Sequence, residues 1–260
     1  MYKRQKKEIA TNWLTRYTAR SLEEFAPHIL LTNFTSYLQA FAKKIGEPIL
    51  GESASMPNCG NAEMTMIHIG MGSPNAATIM DLLSAVEPRA VVFLGKCGGL
   101  KSQLTLGDYV LPIAAIRGEG TSDDYMPREV PSLPSFNVLK ACSNALLEAG
   151  ISYAPGTIYT TNRRLWEHDE HFKEYLRTTH ADAIDMETAT LFTVGYANRI
   201  PTGALLMVSD MPMTPEGVKS NESDSYVTTH FAEQHLQLGI RTVESLRQSP
   251  EEMKSIVFDW

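Results

Sequence analysis

Apolar positions along this chain recur in two periods that take turns. Over residues 5–20, Ile9, Trp13, Leu14 and Tyr17 fall at helical spacing and predict an amphipathic helix. Ser21-Leu22-Glu23-Glu24 has the form of a capping box that opens a second, short helix. Short apolar runs then read as strands at 29–31, 63–69, 90–94, from about 107 to 112, 154–160, 182–184 and 204–208. Helical patterns separate them at about 35–44, 75–86, 136–149, 167–178, 189–197 and 226–247. Strand and helix in such alternation predict an α/β fold whose sheet is covered on both faces.

The polar stretches divide differently. Residues 51–62 are rich in turn formers and predict a hairpin tip or a mobile loop. Residues 117–135 carry too many polar residues and prolines for regular structure, and a loop that long inside a compact domain is functional or disordered. Residues 214–224 read as a further polar loop. With no repeat, low-complexity tract or linker, residues 1–260 are expected to form one domain with an N-terminal helical extension at about 1–26.

Composition narrows the function. A chain of 260 residues that is 43% hydrophobic can bury a large core. A net charge of −7 argues against a nucleic-acid partner, which wants a basic face. No apolar run approaches the roughly 18–20 residues of a membrane span, so no membrane partner is expected. The basic cluster at Lys3, Arg4, Lys6 and Lys7 lacks a following apolar segment and reads as a solvated helix start. Cys59, Cys97 and Cys142 are few and far apart, which suits buried thiols in a reducing, cytoplasmic compartment.

The candidate chemistry gathers at strand ends, where ligands of parallel α/β sheets bind. Asp182-Ala183-Ile184 runs into Asp185-Met186-Glu187, and the strand ending at Val208 runs into Ser209-Asp210. Glu187 and Asp210 are thereby placed to face one pocket from adjacent elements. A carboxyl buried by Met186, Met207 and Met211 has its pKa raised and can act as a general acid, while the other grips sugar hydroxyls. Both could instead be helix-capping or turn carboxylates.

Gly70-Met71-Gly72-Ser73-Pro74-Asn75 lacks the third glycine of a dinucleotide motif, so no cofactor is expected. Gly72 and Ser73 can still let backbone approach a ligand at a helix start, or simply make a tight turn. Lys96, beside Gly95, could hold a phosphate or lie on a surface turn. Trp166 is either core filler or a stacking surface for a flat ligand. His168 and His171 lie three apart among acidic neighbours and read as a solvated face, so no metal is expected.

The stretches GMGSPN, FLGKCGGL with GDYVLP, AIDMETA and VSDMP, in that order, resemble the nucleoside phosphorylase/nucleosidase superfamily over residues 27–247. Within it, ILLTNF, RGEGTSDDY, TTNRRLWEHDEHF and MPMTPEGVK look like the short bacterial AMP nucleosidases. The resemblance implies a three-layer α/β/α sandwich around a mixed, partly barrel-like sheet. It also implies a homo-oligomer, with a hexamer favoured, in which neighbours help build each active site. Asp210 matches the acid that protonates purine N7, Glu187 the residue on the ribose 2′- and 3′-hydroxyls, and Met186 the one packed on the sugar. Trp166 falls near the position that stacks on the base.

Two departures from the superfamily pattern bear on the nucleophile. The region after the first strand, Asn33 to Tyr37, carries no arginine, and Phe93 and Lys96 stand where a phosphate-binding arginine and serine are expected. Inorganic phosphate would lose most of its binding charge, which favours water. The glutamate that activates water in thio-nucleoside nucleosidases is also missing, near Tyr37. Glu119, Asp123 and Asp124 on the long loop are candidates for that role, with Glu187 assisting. The implied reaction is hydrolysis of AMP to adenine and ribose 5-phosphate, with Lys96 and Arg117 or Arg164 anchoring the 5′-phosphate. A phosphorylase, another nucleosidase and a non-catalytic nucleotide sensor are the alternatives.

Overall fold

The computed structural model describes residues 2–248; Met1 and residues 249–260, part of the expected single domain, lie outside the described residues. Among the described residues, eight strands form one sheet: β1 (His28–Thr32), β2 (Asn58–Gly60), β3 (Thr65–His68), β4 (Ala90–Gly99), β5 (Tyr109–Gly118), β6 (Tyr153–Thr161), β7 (Ala183–Asp185) and β8 (Thr202–Asp210). Their order is β2-β3-β1-β4-β7-β6-β5-β8, and β4 also pairs with β8. The last five strands therefore close into a barrel, and β2, β3 and β1 extend it as an open sheet. β1, β3, β4 and β8 run parallel, whereas β2, β5 and β7 introduce antiparallel pairings. The sheet is mixed and partly barrel-like.

Alternation along the strands sorts two cores. Ile29 and Leu31, Val91 and Phe93, and Leu206 and Val208 face one side. Leu30, Val92 and Leu94, and Leu205 and Met207 face the other. The first side is covered by α1 (Tyr2–Thr18), α3 (Ser73–Leu83) and α6 (Thr188–Ala197), the second by α2 (Thr35–Ile45), α4 (Phe136–Glu148) and α7 (Asn221–Gln248); α5 (Glu170–Thr179) packs a smaller cluster around Trp166. Tyr37 Oη and His235 Nδ1 are 3.0 Å apart, and His235 Nε2 donates to the Leu205 carbonyl, tying α2, α7 and β8 together.

Several elements differ from the sequence expectation for identifiable reasons. β4 does not stop at Leu94 but continues through the glycines to Gly99. A Cβ on Gly95 would stand 2.4 Å from the Phe93 ring and 2.9 Å from Leu206, so that glycine serves close packing rather than a turn. α1 buries Ala10, Leu14 and Thr18, leaving Ile9 and Trp13 exposed. Its basic start is not merely solvated either, since Lys6 pairs with Asp81 at 2.6 Å and bonds Asn198.

α7 begins about five residues before the apolar pattern does. Ser220 and Ser223 exchange side-chain to backbone hydrogen bonds and start the helix in a polar run. Residues 51–62 include β2, antiparallel to β3. The long loop is ordered by Arg117, whose five N–H groups all find acceptors, at Ser122, Asp123 and the carbonyls of Met126, Pro127 and Val130.

Candidate active site

The ends of β1, β4, β7 and β8 surround a cavity of about 340 Å³, closed on another side by residues 161–167. Asp210 is the last residue of β8 and is largely buried. Ser209 Oγ donates to its Oδ1 at 2.7 Å. Its other oxygen, Oδ2, lies 3.1 Å from where a Cβ on Gly98 would stand, so β4 brings bare backbone up to the carboxyl. Burial raises the Asp210 pKa, against the Ser209 hydrogen bond and the nearby charges of Lys219 and Arg164. A carboxyl so placed holds its proton more firmly than an exposed aspartate and can deliver it into the cavity.

Glu187 follows β7 at the N-cap position of α6, yet its side chain makes no cap hydrogen bond. Asp185 does that work, with Oδ2 accepting from Thr188 N at 2.8 Å and Thr188 Oγ1 at 2.6 Å. Glu187 is left free to turn inward. Its Oε1 accepts from Gly72 N at 2.6 Å, and the Asn33 side chain also hydrogen-bonds it. Gly72 has φ 96°, a conformation that disfavours any side chain, and this aims its N–H at the carboxylate. Burial, then the negative charge of Asp185, pushes the Glu187 pKa up to about 8. Asp185, with Thr160 Oγ1 as a further donor, is the more fully hydrogen-bonded of the two, and burial raises its pKa as well.

Met186, Trp166, Lys96, Arg164 and Asn33 line the cavity together with Glu187 and Asp210. Gly72 and Ser73 stand behind them: Ser73 Oγ donates to the Met186 carbonyl at 2.7 Å and fixes the chain between β7 and α6. Gly95 does not line the cavity, because it is packed against Phe93 and Leu206. Arg117 does not line it either, and all its donors are spent on its own loop. The expectation that Arg117 anchors a phosphate is thereby corrected.

The candidates for activating water separate as well. Glu119 is buried and accepts from Thr190 Oγ1, Asp123 pairs with Arg117 and Arg128, and Asp124 faces a different depression between α1 and α3. None of them lines the cavity, and Glu187 alone of the four proposed groups does. Tyr37 is buried against His235 instead. His168 and His171 are exposed, and among the described residues no group of three His, Cys, Asp or Glu side chains could hold a metal.

Sequence reasoning passed over Lys219, Arg163, Phe34 and Asp185, all of which line the cavity. Lys219 stands in a polar loop with no strand-end signature. Asp185 carried a readable signal, an aspartate three residues before Thr188 at a helix start. Each of the four cationic residues lining the cavity already has a carboxylate partner. Lys96 and Lys219 pair with Asp224, Arg163 with Asp169, and Arg164 with Glu167.

The profile of the Phosphorylase superfamily matches residues 27–244. The chain is 58% identical to an AMP nucleosidase of Bacteroides thetaiotaomicron VPI-5482 whose structure is known, with a TM-score of 0.86 over 95% of this chain and 99% of that one. It is 30% identical to the AMP nucleosidase of Escherichia coli K12 over 93% of its length, but spans only 59% of that relative. A purine nucleoside phosphorylase of Toxoplasma gondii shares the fold at 20% identity, with a TM-score of 0.79 over 88% of this chain and 95% of that one.

Proposed function

The chain belongs to the phosphorylase superfamily, and from that premise we propose that it hydrolyses AMP to adenine and ribose 5-phosphate. The reading is carried by one observation: Asp210 and Glu187 wall the same cavity, with Trp166 and Met186, in a chain 58% identical to an AMP nucleosidase.

The bond between C1′ and N9 breaks with its electron pair going to the purine. Asp210 delivers its proton to N7 and so removes the charge that would build on the leaving ring. Trp166 offers a flat wall to the base, and Met186 packs on the sugar. Glu187 accepts from the ribose hydroxyls, and the cation growing on the sugar favours its ionised form. Water adds to C1′, and the proton it sheds balances the one Asp210 gave. Lys96 and Arg164 anchor the 5′-phosphate, and that remote binding holds the sugar in register for the reaction.

Large apolar side chains left exposed, among them Ile9, Trp13, Phe136 and Leu165, support assembly as a homo-oligomer, for which a hexamer is proposed. Three free, buried cysteines support a cytoplasmic location. The test is to incubate the protein with AMP and with adenosine, each with and without orthophosphate, and to identify the sugar. Ribose 5-phosphate from AMP in both conditions, with no need for orthophosphate, is the expected result. A purine released only when orthophosphate is present, with a phosphate ester at C1′, would overturn hydrolysis.

A further inference from the structure

Lys96 and Lys219 both line the cavity, and both ammonium groups meet a single oxygen of Asp224: Lys96 Nζ at 3.1 Å and Lys219 Nζ at 3.0 Å from Oδ1. Thr228 Oγ1, one turn further along α7, accepts from Lys96 Nζ at 2.9 Å. The Lys96 side chain is 3% exposed, whereas its carboxylate partner is 42% exposed. A buried cation is thus neutralised by a group from the rim, on the first turn of a helix. Two positive charges face one negative charge. Only one oxygen of that carboxylate is engaged by the two lysines, so the cluster is under-filled for its charge.

We propose that Lys96, Lys219 and Thr228 form a phosphoryl subsite that Asp224 occupies as an internal counter-ion until a 5′-phosphate displaces it. A phosphate dianion balances the two lysines in full and offers three oxygens where Asp224 engages one. Burial alone raises the Asp224 carboxyl, but Lys219 and Lys96 outweigh it and hold it below the ordinary range, so it is an anion at neutral pH. Free orthophosphate must compete with this tethered carboxylate from bulk solution. A phosphate carried by a nucleoside already seated against Trp166 and Glu187 competes as a neighbour, at a far higher effective concentration. Asp224 is therefore a competing counter-ion that weakens every phosphoryl ligand of the subsite and leaves a bare nucleoside, which does not reach the two lysines, unaffected. The substrate part of this inference rests on the reading as an AMP nucleosidase; the anion site itself does not.

The experiment compares wild type with D224N and D224E in the full chain. Orthophosphate binding is titrated by calorimetry, and KM and kcat are measured for AMP and for adenosine. D224N removes the competing charge and is expected to tighten orthophosphate binding about three- to ten-fold, the gain from removing an occupied, non-competent state. It should lower the KM for AMP by a similar factor and leave the KM for adenosine unchanged, while D224E restores wild-type values. Unchanged or weaker orthophosphate binding by D224N, or a raised KM for AMP, would overturn the proposal and make Asp224 a brace for the lysines. Tighter orthophosphate binding with no change for AMP would assign the site to the free anion and overturn the substrate part. Absence of any AMP hydrolysis would refute the nucleosidase reading, while the calorimetry would still decide the anion site.

Discussion

Asp185 caps helix α6 so that Glu187, which stands at the N-cap position itself, does not have to. Two carboxylates two residues apart are thereby given different work. One is held by hydroxyls and backbone amides, and the other is turned into the cavity toward Gly72 and Asn33. The arrangement depends on burying a second carboxyl beside the first, which is why Glu187 holds its proton so firmly.

The consequence for pH follows from the folded pKa of about 8 against an ordinary value of 4.5. Between those values the folded chain binds a proton that the unfolded chain does not. The contribution of Glu187 to stability is thus full below the unfolded pKa and is lost as pH rises through the folded one. E187Q keeps the shape and cannot ionise. Its melting temperature should draw level with and then exceed that of wild type as pH is raised from about 5 to about 9, by about 2–4 °C for each kcal/mol removed. Melting curves that stay parallel across that range would show that Glu187 is not held protonated.

Gly98 makes room for the proposed acid. A Cβ there would stand 2.9 Å from Pro212 and 3.1 Å from Asp210 Oδ2. G98A should push the carboxyl aside and lower kcat for adenine release on the order of 10²-fold, as misplacement by about 1 Å does, with the far-ultraviolet spectrum unchanged. Full activity in G98A would mean that the position of Asp210 is not critical.

Arg117 ties its loop together through five donors, one of them in an ion pair with Asp123. Lysine cannot reproduce that fork. R117K should lower the unfolding free energy measured in urea by about 1–3 kcal/mol, the cost of leaving buried acceptors without their donors. The KM for AMP should stay within about two-fold, because Arg117 lies away from the cavity. A large rise in KM with unchanged stability would place Arg117 on the substrate after all.

The parts of the fold that are continuously apolar were legible from the chain alone. Short apolar runs such as Val91 to Leu94 and Leu205 to Val208 announced strands buried on both faces, and the strand ends carrying Glu187 and Asp210 could be read from where such runs stopped. The polar start at Ser21 was legible as a capping box, whereas that of α7 was not, because the Ser220–Ser223 exchange that builds it leaves no apolar trace and lacks the glutamate of such a box. Gly95 was misread for a related reason: a glycine that admits a neighbouring Phe93 ring looks in sequence like one that makes a turn. The grouping of Lys219 with Lys96 lay beyond reach, since the partners are far apart in the chain and meet only through Asp224 on α7.

The most direct measurement is adenine release from saturating AMP by D210N beside wild type, at equal protein concentration and after matched melting curves. Asparagine keeps the shape and accepts from Ser209 but has no proton to give at N7. If Asp210 is the acid, the turnover rate falls by about 10²–10⁴-fold. Turnover by D210N within a few-fold of wild type would contradict protonation of the departing purine by Asp210.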